Sequence, residues 1–174
     1  MKLILLGGIS FKNKAWIEEV AAELKTSFGA QIMYYDHWET GGEEMDFGVE
    51  GAKLEKVCSR LDNFGVLAKS GGSWLTLKLA AEGKIKPVRM ILIGPAWNWA
   101  RNNGFESVEL AKKVKAPVLV IDKTCDPALP FNQLEREVKE AGLDNFKLAE
   151  LPGDTHHYED VIRLGELVRE FVYE

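Results

Sequence analysis

Cysteine is scarce in this chain of 174 residues, and that scarcity excludes several classes of protein. The two cysteines, Cys58 and Cys125, form neither a disulfide framework nor a metal-ligand spacing, so we expect a reduced, cytoplasmic protein without a bound metal. The net charge of −5 lacks the basic surplus of a non-specific nucleic-acid binder. No apolar stretch approaches the roughly 20 residues of a membrane span. We therefore expect a soluble protein that binds neither nucleic acid nor membrane.

The length falls within the usual size of one domain, and no linker, internal repeat or low-complexity tract interrupts the sequence. We expect residues 1–174 to form one domain. One segment, 39–46, is unusual because it is acidic and contains two glycines. Such a charge run is typical of a solvated connection, and a gate over a functional site is the alternative.

Short apolar runs alternate with longer segments of helical periodicity, which is typical of repeated βα units and a parallel sheet. The runs consist largely of β-branched and other large apolar residues, as expected for strands that helices cover on both faces. The predicted strands are residues 3–6, 31–35, 64–68, 88–93, 118–121 and 146–151. The predicted helices are residues 14–28, 49–61, 73–82, 105–114, 132–141 and 160–173.

The most informative segment joins the third predicted strand to the next helix. Ser70 follows the strand, with the small residues Ala68 and Gly72 two positions before and two positions after it. A nucleophile elbow needs this composition, because the serine occupies a tight turn that larger neighbours would obstruct. The turn would also aim the backbone N–H of Gly71 at a developing oxyanion.

Two other interpretations of this segment must be weighed. Ser70 or Ser73 could simply cap the helix that follows. A phosphate-binding Walker A loop requires glycines where Ala68 and Asn63 stand, so that interpretation fails.

Two later loops supply an acid and a base. Asp126 precedes a proline in the loop after the fifth predicted strand, where an aspartate can orient a histidine. Asp122, at the end of that strand, is the rival acid. His156 and His157 lie together in the loop after the last strand, so serine, aspartate and histidine follow the chain order of a hydrolase triad.

A further turn with small residues follows the first strand. Gly7 and Gly8 precede Ile9 there, and the backbone N–H groups of Gly8 and Ile9 are candidate oxyanion donors beside Gly71. A glycine-containing βα turn without any functional role is the alternative.

Taken together, these motifs resemble the α/β-hydrolase superfamily, in particular its small single-domain members. The resemblance covers essentially the whole chain and is most specific at residues 66–72, at 116–121 with Asp126, and at 153–158. In that family the histidine commonly stands three residues after a glycine and precedes an aromatic residue, so Gly153 favours His156, with His157 as the fallback. The resemblance implies a Ser–His–Asp triad, an acyl-enzyme and no cofactor.

The resemblance also predicts the architecture. The chain begins at what corresponds to the family's third strand, which implies a three-layer α/β/α sandwich with six parallel strands in the order 2-1-3-4-5-6. Only residues 94–104 occupy the place of a lid, so we expect a minimal, lidless fold. In an open site Trp97 and Trp99 would line the substrate pocket, with packing of one of them on a neighbouring helix as the alternative. Trp38 would line the cleft or pack under the acidic loop.

The expected function is a serine hydrolase that cleaves a small ester through Ser70, His156 and Asp126. Amide hydrolysis would use the same groups and stays open as an alternative bond. The alternative is a non-catalytic binding protein on the same fold, since a fold does not fix a function. We expect a small-molecule substrate and either a monomer or a homodimer.

Overall fold

One six-stranded sheet forms the centre of the protein, whose structure is a computed structural model describing residues 1–174. Every neighbouring pair of strands runs parallel, in the order β2-β1-β3-β4-β5-β6. This order confirms the prediction. The strands are β1 (Lys2–Leu6), β2 (Gly29–Ile32), β3 (Phe64–Lys69), β4 (Arg89–Ile93), β5 (Val118–Lys123) and β6 (Phe146–Leu151).

Helices cover both faces of the sheet and complete the three layers. They are α1 (Asn13–Leu24), α2 (Phe47–Cys58), α3 (Gly71–Ala81), α4 (Trp97–Asn102), α5 (Ser107–Ala111), α6 (Phe131–Glu140) and α7 (Val161–Tyr173). Helix α1 packs against α7, whereas α3 packs against α2 and α5. None of these helices combines the length and the apolar character needed to cross a membrane.

The central strands show how the two faces are buried. In β4, Met90 and Leu92 belong to one apolar cluster, while Ile91 and Ile93 belong to the other. Successive side chains of a strand point to opposite faces, so both faces of the sheet pack against helices. This double burial explains why the strands appear in the sequence as continuous apolar runs.

Several element boundaries differ from the sequence-based expectation. The second strand covers Gly29–Ile32 rather than residues 31–35, and a 3₁₀ turn follows at Asp36–Thr40. The helix predicted at 105–114 is shorter and covers only Ser107–Ala111 (α5). A separate helix, α4, precedes it and ends at Asn102, before Gly104 with its φ of 77°. Helix α4 thus occupies part of the segment that was predicted as a loop.

The register of the sheet determines which loops meet at its carboxyl edge. Leu6 in β1 pairs with Ala68 in β3, so the turn at Gly7 and Gly8 begins level with Ser70. From β1 the chain passes to β2 on one side of β1 and then returns to form β3 on the other side of β1. In parallel α/β sheets, a crevice opens at such a point of reversal.

Candidate active site

Ser70 connects β3 to α3 in a backbone conformation that residues other than glycine rarely adopt. Its φ of 51° and ψ of −121° make it the only non-glycine residue with a positive φ. Such a conformation costs roughly 1–3 kcal/mol and persists only where the surroundings enforce it. The Ser70 side chain does not cap α3, and the Ser73 hydroxyl donates instead to the Ala68 carbonyl at 2.7 Å. The capping interpretation therefore explains neither serine.

The two glycines after Ser70 let the turn pack closely against its neighbours. A Cβ on Gly72 would lie 2.5 Å from the Gly7 carbonyl oxygen and 2.7 Å from the Tyr35 hydroxyl. A Cβ on Gly71 would lie 2.5 Å from Cγ1 of Ile9. The glycines are therefore needed for close packing, and this packing brings the turn after β1 against the turn after β3.

The turn after β1 is held by side chains of the segment that follows β2. The Tyr35 hydroxyl donates to the Gly7 carbonyl at 2.9 Å, and Trp38 Nε1 donates to the Ile9 carbonyl at 2.8 Å. His37 Nε2 lies 2.6 Å from the same Ile9 oxygen. These contacts fix the carbonyls of the turn, and the N–H groups of Gly8 and Ile9 make no backbone hydrogen bond. Gly71 is the first residue of α3, where an N–H has no partner within the helix.

His156 and Asp126 come together from the loops after β6 and β5. Nδ1 of His156 lies 2.9 Å and 2.8 Å from the two carboxylate oxygens of Asp126, and Asp126 is fully buried. His157 is exposed, and Asp122 is hydrogen-bonded to Tyr158 and to neither histidine. Of the alternatives left open by the sequence, His156 and Asp126 are the pair in contact. No hydrogen bond joins the Ser70 hydroxyl to His156 in this structure.

Tyr158 links the two buried aspartates. Its hydroxyl lies 2.7 Å from Oδ1 of Asp122 and 2.7 Å from Oδ2 of Asp126. A phenol has one proton, so it can donate to only one of them at a time. Asp122 is fully buried at the end of β5, and its Oδ2 has no hydrogen-bond partner.

The two carboxyl groups respond to this environment in opposite ways. Burial raises the pKa of Asp122 to about 7, and the neighbouring Asp126 charge adds to the increase against the hydrogen bond from Tyr158. Burial also acts to raise the pKa of Asp126, but hydrogen bonds from His156, Tyr158 and the Ala128 N–H bring it below its ordinary value. A protonated Asp122 can donate to Tyr158, which then donates to Asp126. This arrangement keeps Asp126 as the ionised partner of His156.

Ser70 and His156 line one cavity of about 620 Å³ at the carboxyl edge of the sheet. The cavity lies between the loops after β1, β3 and β6, at the point of reversal in the strand order. Its remaining walls are formed by Ile9, Ser10, Lys12, Asn13, Trp16, Glu19, Lys69, His157, Tyr158 and Glu159.

The tryptophans predicted to line the pocket do not line this cavity, and the structure corrects that expectation. Trp97 is 1% exposed because α4 turns it into the apolar core. Trp99 packs among other aromatic rings, at 6.1 Å from Trp74 and 5.6 Å from Phe47. Trp38 is buried behind the turn after β1, where its indole holds the Ile9 carbonyl.

Sequence reasoning missed most residues of the cavity wall, among them three that form contacts within it. Trp16, on α1, lines the cavity, and its Nε1 donates to the Tyr158 carbonyl at 2.7 Å. Lys69 and Asn13 are hydrogen-bonded at 2.9 Å in the same wall. A lysine next to the serine was visible in the sequence, but only the fold shows that it is buried.

The acidic segment after β2 also touches this end of the molecule. The Ser10 hydroxyl, in the cavity wall, donates to Glu43 Oε1 at 3.1 Å. Met45 is buried, so the segment is partly anchored. No group of three His, Cys, Asp or Glu side chains is placed to hold a metal ion.

Comparison with known proteins identifies the fold through structure alone. No protein-family model matches the sequence, and no curated protein matches it. Est1E from Butyrivibrio proteoclasticus, in a structure with ferulic acid bound, superposes with a TM-score of 0.78 at 17% identity, over 99% of this chain and 88% of that one. Monoacylglycerol lipase from Paleococcus ferrophilus gives a TM-score of 0.74 at 13% identity, over 98% and 93%.

A serine hydrolase involved in carbazole degradation gives a TM-score of 0.75 at 14% identity, over 99% of this chain and 91% of its own. These neighbours are esterases, lipases and other α/β hydrolases. The chain therefore has the α/β-hydrolase fold, as its resemblance in sequence predicted.

Proposed function

We propose that this protein is a serine hydrolase that cleaves small carboxylic esters. The observation that supports this most strongly is the joint placement of Ser70, in a strained strand-to-helix turn, and of His156, backed by Asp126, in the walls of one cavity. The structural neighbours, among them an esterase domain and a lipase, support a hydrolase acting on small molecules.

In the proposed reaction His156 acts first as a general base. Its Nδ1–H donates to Asp126, which leaves Nε2 free to take the proton from the Ser70 hydroxyl. The Ser70 Oγ then attacks the ester carbonyl, forming a tetrahedral intermediate, and His156 returns the proton to the departing alcohol. Water activated by the same histidine releases the acid from the acyl-enzyme.

The negative charge that develops on the carbonyl oxygen would be held by backbone N–H groups. Gly71 supplies one, as the first residue of α3, and Ile9 or Gly8 supplies the second from the adjacent turn. This assignment is supported by the close packing of Ile9 on Gly71. Losing a single oxyanion donor typically lowers kcat by about 10²–10³-fold. The proposed mechanism uses no cofactor.

A fluorophosphonate probe tests the proposal directly, because it labels only an activated serine. We expect intact-mass spectrometry to show one adduct on the wild type and none on Ser70→Ala. Ser10→Ala is the matched control, since Ser10 lines the same cavity and should leave labelling intact. A folded wild type that takes up no probe would contradict the mechanism and favour the non-catalytic binding protein instead.

We propose that residues 1–174 act as one hydrolase domain, as a monomer or a homodimer in a reducing, cytoplasmic setting. The two cysteines are compatible with that setting because both are free thiols, with Cys58 buried and Cys125 exposed.

A further inference from the structure

Two lysines are buried in this protein, and they differ in one respect. Lys123, at the end of β5, is paired with the Glu159 carboxylate at 2.9 Å and also donates to Thr155. Lys69, at the end of β3, is only 4% exposed and forms no salt bridge. A buried ammonium group without a carboxylate partner is costly and therefore needs an explanation.

The surroundings of Lys69 hold its ammonium group in the cavity wall. Nζ donates to Asn13 Oδ1 at 2.9 Å and lies 5.4 Å from the centre of the Trp16 ring. Asn13 is itself fixed, since its Nδ2 donates to the Ser10 carbonyl at 3.0 Å. A Cβ on Gly8 would lie 2.9 Å from Asn13 Nδ2, so the glycine there makes room for this side chain. Lys69 is thus positioned by a built environment.

The hydrogen-bonding capacity of Lys69 is incompletely used. An ammonium group has three N–H donors, and a side chain occupies only one of them here. Burial lowers the pKa of Lys69 to about 8, and the attraction of Asp126 and Glu159 limits the decrease against the repulsion of Lys123. At neutral pH the group therefore still carries its positive charge.

The other charged groups that face the cavity do not neutralise Lys69. Lys12 and Glu19 are exposed at its mouth, and Glu159 is engaged with Lys123. The deepest charge in the wall beside Ser70 is therefore a cation without a carboxylate of its own.

We propose that Lys69 is a carboxylate-binding residue and that the ester cleaved is an anionic half-ester of a short dicarboxylic acid. The substrate class rests on the proposed function, because the hydrolysed bond must reach Ser70. Lys69 and Ser70 line the same cavity and are consecutive, with Cα atoms about 3.8 Å apart, so one ligand in that cavity can contact both side chains. A short acid chain would join the carboxylate to the ester carbonyl in such a ligand. The carboxylate would accept hydrogen bonds from the N–H groups of Lys69 that have no partner in the protein.

The test compares two esters that differ by one charge. The probes are 4-nitrophenyl glutarate, which carries a free carboxylate, and its neutral methyl ester. Spontaneous release of nitrophenol is measured with Ser70→Ala and subtracted. We expect kcat/KM of the wild type to be about ten- to a hundred-fold higher for the anionic ester than for the neutral one. The reason is that only the anionic ester forms a charge-assisted hydrogen bond to Lys69.

Variants of the cavity wall assign that preference to Lys69. Lys69→Met should bring the ratio of the two kcat/KM values close to one, and Lys69→Arg should keep the anionic ester preferred. Asn13→Asp keeps the lysine but gives it an internal carboxylate, so it should also reduce the ratio. Lys12→Met is the matched control, because an exposed charge is screened and should change the ratio by less than about two-fold.

Calorimetric titration with glutarate separates failure of this inference from failure of the proposed function. We expect the wild type to bind glutarate at least ten-fold more tightly than Lys69→Met, whether or not the protein hydrolyses esters. Equal affinities, or equal kcat/KM values for the two esters in an active wild type, would overturn the carboxylate site. No turnover and no fluorophosphonate adduct, together with Lys69-dependent glutarate binding, would overturn the hydrolase and retain the carboxylate site.

Discussion

The two halves of the candidate active site are held in place by different forces. On the nucleophile side, Ser70 is positioned by backbone packing, with Gly72 pressed against the Gly7 carbonyl. On the acid–base side, His156 is positioned by hydrogen bonds to a buried carboxylate, Asp126. The first half therefore depends on volume, and the second half depends on charge.

This difference indicates how each half should fail. The strained Ser70 backbone is maintained by its neighbours, so an added methyl group should disturb the fold itself. The carboxylates of Asp122 and Asp126 can be replaced by amides of nearly equal shape, which alters protonation and leaves packing intact. Changes in volume and changes in charge thus provide separate tests of the two halves.

The largest expected effect comes from the charge of Asp126. Asp126→Asn removes the carboxylate that orients and stabilises the charged form of His156, so kcat for a 4-nitrophenyl ester should fall roughly 10³–10⁴-fold. Circular dichroism and thermal unfolding should show a folded protein. The measurement is steady-state hydrolysis on the purified variant.

Asp122→Asn is the matched control for that loss, because it makes the same substitution in the same hydrogen-bonded group. Tyr158 keeps its bond to Asp126 in this variant, so kcat should fall less than about ten-fold. Equal losses in the two variants would show that the acid has been assigned wrongly.

A smaller but still large effect is expected from volume on the nucleophile side. Gly72→Ala places a methyl group against the Gly7 carbonyl and the Tyr35 hydroxyl, which should lower the free energy of unfolding by about 3 kcal/mol or more. Gly71→Ala meets the side chain of Ile9, which can move, so its cost should be about 1–2 kcal/mol.

Urea denaturation measures both glycine variants. Combining Gly71→Ala with Ile9→Ala should recover part of the lost stability, because it removes the atoms that a Cβ would meet. Equal costs for Gly71→Ala and Gly72→Ala would argue against packing as the force that holds this turn.

Most strands were predictable because they are continuous apolar runs, whereas the order of the strands followed from the resemblance to α/β hydrolases. The sequence left two choices open: Asp122 or Asp126 as the acid, and His156 or His157 as the base. The two residues of each choice lie only a few positions apart, so loop geometry decides which of them can meet. Local composition does not encode that geometry, since it follows from the register between β5 and β6. In the structure Asp126 and His156 are in contact, and we propose them as the acid and the base on that ground.

The pocket walls were less predictable than the sheet. Trp97 and Trp99 stand in a polar stretch of sequence, but α4 forms there and turns Trp97 into the core. No role was predicted for Lys69 from the sequence. Its burial depends on Asn13 and Trp16, which lie more than 50 positions earlier in the chain. Long-range contacts of this kind leave no local pattern.

The last expected effect concerns proton binding in the acid–base half and is seen only as a change of stability with pH. Burial raises the pKa of Asp122 to about 7 in the folded protein, well above its ordinary value of 3.8. The folded state therefore binds this proton more tightly than the unfolded state, and the associated stability is lost as the pH rises from 4 through 7. Asp122→Asn cannot ionise, so it should remove this component of the pH dependence.

The difference between the two proteins should accordingly grow with pH. Near pH 4 we expect wild type and Asp122→Asn to unfold at similar urea concentrations, since Asp122 is then largely neutral in the folded protein. Above pH 7 the variant should be more stable by up to about 4 kcal/mol, because the pKa of Asp122 in the folded protein lies about three above its ordinary value and a difference of one corresponds to about 1.4 kcal/mol. Denaturation curves at half-unit intervals from pH 4 to pH 8 measure this change. Parallel pH profiles would mean that Asp122 ionises normally, and that the acid–base half contains two stable carboxylates rather than a neutral donor and an ionised acceptor.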